Sequence, residues 1–186
     1  MLILLDRDGV LNHDRTDYVK SPAEWLPIDG IGPAIAALNA RRWKVVICTN
    51  QACIGKGIID EAMLDRIHDK MRAHIARDGA HIDEILFAPD PPWAQTERRK
   101  PGPGMMREAM AKYRTAPEST VFIGDTETDM LAGKRAGCRR ILVRSGKGAA
   151  TLAKGLPAEA GSVAVFADLA EAVQRLLADG IEAAPL

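Results

Sequence analysis

Two carboxylates one residue apart, Asp6 and Asp8, end the opening stretch MLILLDRDGV and are followed at once by Gly9. If the apolar run Leu2 to Leu5 is a strand, alternate side chains share a face. The two acids then point the same way, with Cα atoms about 6.6 Å apart at ~3.3 Å per residue. Paired acids at one spot suit nucleophilic attack by a carboxylate, proton transfer, or binding of a hard cation through oxygen. Three further stretches carry groups suited to an anionic substrate. In TNQ, Thr49 and Asn50 offer a hydroxyl and an amide to phosphate oxygens, with Gln51 next to them. In RRKPGPG, Lys100 is a point charge beside the rigid Pro101. In IGDTETD, Asp125 follows Gly124, and Asp129 comes four residues later, one helical turn on. Each string also has an ordinary reading. D-x-D-G fits a calcium loop or a solvated turn, TNQ a helix cap, Lys100 plain surface, and Asp129 an acid at the positive end of a helix. An EF-hand does not fit, because an apolar strand and not a helix comes first.

The elements that must position these groups follow from the hydrophobic pattern. After Leu2 to Leu5, apolar runs ending in polar or turn residues recur at 44–50 (KVVICTN), 84–89 (EILFAP), 120–125 (TVFIGD), 139–145 (RRILVRS) and 162–168 (SVAVFAD). Helical spacing marks 33–41, 60–78, 104–113, 128–136 and 169–177, with Asp60 placed as an N-cap. Alternating strands and helices predict an α/β fold, a Rossmann-like parallel sheet with helices on both faces. Ligands of such sheets bind beyond the carboxyl ends of the strands. Asp6, Asn50 and Asp125 all lie at such ends, so distant residues are expected to be neighbours in space.

The length of 186 residues favours one domain spanning the whole chain, with a Pro-rich loop over 89–104 and a tail after Gly180 expected to fray. Lys plus Arg and Asp plus Glu each total 25, so no basic field suggests nucleic acid as a partner. The opening apolar run is too short for a signal peptide or a membrane span. The three cysteines, Cys48, Cys53 and Cys138, form no CxxC pair or disulfide framework, which favours the cytoplasm. A soluble monomer is expected.

Taken together, the four strand-end strings resemble the motifs of the haloacid dehalogenase (HAD) superfamily of aspartyl phosphotransferases, from Leu2 to about Gly148. The resemblance implies Mg²⁺ held by Asp6, Asp125 and the main-chain carbonyl of Asp8. It makes Asp6 the nucleophile and Asp8 the acid and then base. Thr49 and Lys100 stabilise the transferring phosphoryl group, and Asp129 supports the metal shell or Lys100. Within the superfamily, DRDGVLN, YV at 18–19, TNQACIGKG, RKPGPGM and VRSGKG resemble the D-glycero-D-manno-heptose 1,7-bisphosphate 7-phosphatase family of nucleotide-activated heptose (lipopolysaccharide core) biosynthesis. That resemblance implies a sugar bisphosphate substrate and short loops in place of a large cap. Asp14, Tyr18, Asn50 and Gln51 are the implied substrate contacts, with Arg99 on the second phosphate. Many relatives carry a Cys/His zinc loop before the motif lysine. Here it reads APDPPWAQTERRKP, without Cys or His, so no zinc is expected, and the prolines and Trp93 are the candidate anchors.

The remaining residues read as structure. Cys48 and Met105, Met106 and Met110 are expected in the core, and Cys53 lacks a His partner nearby in sequence. His68, His74 and His81 are expected at the surface or at a helix end, and His13 is not read as a ligand. Three alternatives stay open: a histidinol-phosphate phosphatase or other small sugar-phosphate phosphatase, a phospho-receiver signalling domain, and a silent phosphosugar-binding protein. Receivers pair adjacent acids at the first strand, whereas Arg7 separates the pair here.

Overall fold

Four apolar residues in a row are buried on both faces only inside a sheet that is itself covered on both sides. Leu2–Leu5 form such a strand, β1, each residue fully buried, in a computed structural model that describes residues 1–186. The other strands are β2 (Lys44–Asn50), β3 (Glu84–Ala88), β4 (Thr120–Gly124), β5 (Arg139–Val143) and β6 (Ala164–Phe166). All pair in parallel, in the order β3-β2-β1-β4-β5-β6. The helices are α1 (Ile31–Ala40), α2 (Ala52–Gly55), α3 (Glu61–Ala76), α4 (Gly104–Tyr113), α5 (Glu127–Ala136), α6 (Gly148–Lys154) and α7 (Leu169–Asp179).

Alternation along the strands divides the core into two layers. Ile3, Leu5, Val45, Ile47, Val121 and Ile123 pack with apolar residues of α1, α3 and α7. Leu2, Leu4, Val46, Cys48 and Phe122 pack with Met105, Met106 and Met110 of α4 and with Ala132 and Ala136 of α5. The methionines and Cys48 are thus core, as expected.

Three expectations need correction. The short helices α2 and α6, of four and seven residues, escaped the pattern because a 3.6-residue period needs more than a turn or two to show. The tail after Gly180 does not hang free. Ile181–Ala183 makes a 3₁₀ turn and Ala184 is fully buried. Arg139 Nη1 donates to Ala184 O at 2.9 Å, and Arg140 N donates to Pro185 O at 3.0 Å. His68 is 3% exposed, because it shares its side of α3 with the buried Leu64, Ile67 and Met71. No helix is long and apolar enough to cross a membrane.

The strand order reverses at β1, which has β2 on one side and β4 on the other. A crevice opens beyond the carboxyl ends of the strands at such a point. Leu5 pairs with both Ile47 and Ile123, so the residues just after these partners meet at one edge.

Candidate active site

That edge opens into a cavity of about 290 Å³, and every site residue singled out from the sequence lines it. Asp6 is held by continuation of the ladder, its N–H donating to Ile123 O at 2.9 Å. Its Oδ1 lies 2.8 Å from Lys100 Nζ, which also lies 2.6 Å from Asp129 Oδ1. Burial opposes the Lys100 ammonium, but the Asp129 and Asp6 carboxylates more than offset it, so its pKa is raised. Asp129 is fixed by a capping box at the start of α5, where Thr126 donates to its Oδ2 from Oγ1 (2.5 Å) and from N (3.0 Å). The spacing of Thr126 and Asp129 carries that signal in the sequence.

Two cavity residues expected to contact substrate, Asn50 and Gln51, also hold other site residues in place. Asn50 Oδ1 accepts from Lys100 N and Asn50 Nδ2 donates to Lys100 O, both at 3.0 Å, so its amide clamps the backbone that presents the lysine. Gln51 Nε2 donates to Asp8 Oδ2 (3.0 Å) and to Thr49 Oγ1 (2.9 Å), tying together two other residues of the site. Asp8 itself also accepts from Asn12 Nδ2 at 2.9 Å and from Arg7. Burial pushes its carboxyl upward, but the Arg7 guanidinium and these hydrogen bonds hold it below the ordinary carboxylate value.

The loop after β5 contributes a residue that sequence reasoning missed. Lys147 N donates to Asp125 Oδ2 at 2.7 Å, and Lys147 Nζ pairs with Asp14 Oδ2 at 2.7 Å. Ser145 Oγ donates to Gly9 O at 2.7 Å, closing this loop onto the first motif. A lysine between glycines just beyond a strand end was the available clue. Opposite, Tyr18 accepts from Lys56 Nζ at 2.7 Å, and Arg99 Nη1 donates to Asp90 O at 2.9 Å.

The loop before Lys100 is not anchored by Trp93, which is 73% exposed. Arg98 Nε donates to Phe87 O at 2.8 Å, Arg99 binds the Asp90 carbonyl, and Thr96 Oγ1 donates to Asp90 Oδ2 at 2.8 Å. Cys53 is buried and its thiol donates to Gln51 Oε1. Burial pushes its pKa up, away from thiolate chemistry.

Whether a cation fits is decided by the acids. Asp6, Asp125 and Asp129 are all buried and offer oxygens within 4.8 Å of one another. Against these acids stands one buried ammonium, that of Lys100, while the Lys147 ammonium is paired with Asp14. Burial pushes Asp6 up to about 7, with Lys100 pulling it down and Asp129 adding to the rise. Burial, with the charges of Asp129 and Asp6, pushes Asp125 up to about 8. Asp125 Oδ1 is buried with no hydrogen-bond partner, a cost nothing else in the chain offsets. A hard divalent cation with oxygen ligands supplies the missing charge and the missing partner. Asp6 and Asp125 therefore fit magnesium.

Comparison with known proteins agrees with this geometry. A family model described as "HAD-hyrolase-like" matches residues 97–172. The D-glycero-beta-D-manno-heptose-1,7-bisphosphate 7-phosphatase of Pseudomonas putida is 38% identical over 95% of this chain and 99% of its own. The enzyme of the same name from Bordetella bronchiseptica is 41% identical over 95% of this chain and 97% of its own. The crystal structure of D,D-heptose 1,7-bisphosphate phosphatase from B. bronchiseptica, complexed with magnesium and phosphate, matches this fold with a TM-score of 0.91. That match covers 96% of this chain and 98% of the other.

Proposed function

Because the chain belongs to the D-glycero-D-manno-heptose-1,7-bisphosphate 7-phosphatase family of HAD-like hydrolases, we propose that it hydrolyses the 7-phosphate of that sugar bisphosphate through an aspartyl phosphate on Asp6. The observation that carries this reading is the convergence of Asp6, Asp8, Thr49, Lys100 and Asp125 on one cavity from separate strand ends and loops.

Magnesium is the cofactor, held by Asp6, Asp125 and, following the family resemblance, the Asp8 carbonyl. When bound it neutralises charge between a carboxylate nucleophile and a phosphate dianion. The chain's own residues do the rest. An Asp6 carboxylate oxygen attacks phosphorus, and the P–O bond to C7 breaks with its electron pair on the sugar oxygen. Asp8 takes up a proton as the phosphate dianion binds beside it, gives that proton to the sugar oxygen and so returns to a carboxylate. It then takes a proton from water, whose oxygen attacks phosphorus and breaks the P–O bond to Asp6, releasing inorganic phosphate. Lys100 and Thr49 face the charge on the transferring oxygens. Asp129 and Asn50 hold Lys100 in place from its side chain and its backbone. Arg99, at the cavity wall, takes the second phosphate, which the guanidinium fork suits.

A phosphate-release assay with magnesium tests the reading on both anomers of the heptose bisphosphate, fructose 1,6-bisphosphate and histidinol phosphate. The heptose bisphosphate is expected to be turned over fastest, and Asp6→Asn to be inactive while folded. Near-normal turnover by Asp6→Asn would remove the nucleophile assignment. Preference for histidinol phosphate would move the chain to that activity.

A further inference from the structure

Arg7, the residue that separates the two acids, has no part in the chemistry above, yet it is fully buried. Its guanidinium folds back onto the next residue. Nη2 donates to Asp8 Oδ1 and Oδ2 at 3.0 and 2.9 Å, and Nε donates to Oδ1 at 3.2 Å. Nη2 also donates to Gln51 Oε1 at 3.1 Å, and Nη1 lies 3.3 Å from His68 Nε2 on α3. Asp8 is the one carboxylate it pairs with.

We propose that Arg7 is a positioning residue that sets the orientation of the Asp8 carboxyl, and that His68 is the strut that keeps the Arg7 guanidinium aimed. The proposal rests on the reading of Asp8 as acid and then base. Surface ion pairs leave both partners free to reorient. Here the guanidinium is held by burial and by its bonds to Asp8, Gln51 and His68, while Asp8 faces the cavity with 23% of its side chain exposed. A fork with parallel donors confines a carboxylate in direction as well as place. The strut works only if His68 Nε2 accepts, which requires a neutral ring. Burial and the charges of Arg7 and Arg72 lower the His68 pKa to about 3, so it stays neutral through the working range. Gln51 extends the same frame to Thr49.

The test uses two esters of different leaving-group quality. The C7 oxygen of heptose bisphosphate needs a proton to leave, whereas the nitrophenolate of p-nitrophenyl phosphate does not. Hydrolysis of the aspartyl phosphate needs Asp8 as base in both cases. Arg7→Lys keeps a positive charge but not the fork. It should lower kcat on heptose bisphosphate by about 100- to 300-fold, the low end of the range of acid-base contributions, with KM changed by less than about threefold. With p-nitrophenyl phosphate it should release a burst approaching one nitrophenolate per chain before a slow steady state, because the intermediate accumulates. His68→Leu should show the same pattern more weakly, and His68→Gln, whose amide oxygen can accept from Arg7, should recover most of the rate. If Arg7→Lys does not fold, the His68 pair decides by the same burst. An unchanged kcat, a loss confined to KM, or equal losses on both esters without a burst would overturn the role of Arg7. Asp8→Asn separates this from failure of the underlying reading. If that variant turns over heptose bisphosphate normally, the acid-base assignment itself falls. If it is inactive while Arg7→Lys is fully active, only the positioning role falls.

Discussion

Gly9 and Asp125 stand so close that a Cβ on Gly9 would sit 2.0 Å from Asp125 Oδ2, and Gly9 has a φ of +84°. Any side chain there displaces the Asp125 carboxylate, which we propose holds magnesium. Gly9→Ala should cut turnover by at least about 100-fold, since misplacement of about 1 Å at a reacting centre has that effect. Gly79, with φ +71° and nothing within 4 Å of a built Cβ, is the control. Gly79→Ala should lose only the backbone strain, about 1–2 kcal/mol, and keep its kcat. Equal activity in the two variants would refute the close-approach argument.

Asp125 brings an unpartnered buried oxygen and a share of the repulsion among the three acids. Magnesium should therefore raise the Tm of the wild-type protein in a concentration-dependent way. Asp125→Asn should be as stable as wild type without metal, or more so, and should show almost no response to magnesium in a melting experiment. A full magnesium response in that variant would place the cation elsewhere.

His68 gives a stability signature in acid. Its pKa of about 3 in the fold lies below the value of about 6.5 expected in the unfolded chain. The neutral ring thus favours the folded state. This contribution is complete above pH 6.5 and is lost as pH falls toward 3. Urea titrations of wild type and His68→Gln should show the wild-type advantage shrinking across that window. A constant difference between pH 7 and pH 4 would contradict a buried neutral histidine.

Arg99 should govern the choice between bisphosphate and monophosphate. One bond to the Asp90 carbonyl holds it at the cavity wall, which leaves other donors of the fork uncommitted. A charge-assisted contact is worth roughly 1.5–3 kcal/mol. Arg99→Ala should then lose about tenfold to a hundredfold in kcat/KM on heptose bisphosphate and almost nothing on a monophosphate of the same sugar. Equal losses would mean that the variant merely disturbs Lys100.

The loop before Lys100 should need no metal. Arg98, Arg99 and Thr96 tie it to main-chain and carboxylate oxygens. Elemental analysis of the purified protein should find less than stoichiometric zinc. Protein stripped with a chelator should regain full activity with magnesium alone. Arg98→Ala should lower activity by loosening this loop, and recovery only with added zinc would show that the anchor has been misread.

The sequence by itself determined the strands, the longer helices and the chemical character of the site. Apolar runs such as Leu2–Leu5 and Val45–Cys48 declare buried strands through composition alone, and the acids at their ends fall where parallel sheets bind ligands. The T-x-x-D spacing of the capping box and the absence of Cys and His before Lys100 were also open to reading. What only the tertiary structure decided was which polar atoms are already spent. Asn50 and Gln51 suggested substrate contacts, but the Lys100 backbone and the Asp8–Thr49 pair take up their amides. His68 looked like a surface residue of an amphipathic helix, and Arg7 like a spacer, until folding brought them 3.3 Å apart. The physical reason is that a hydrophobic pattern reports burial averaged along one element. Hydrogen-bond satisfaction is settled between elements, by contacts such as Arg7 to His68 that lie 61 residues apart in the chain.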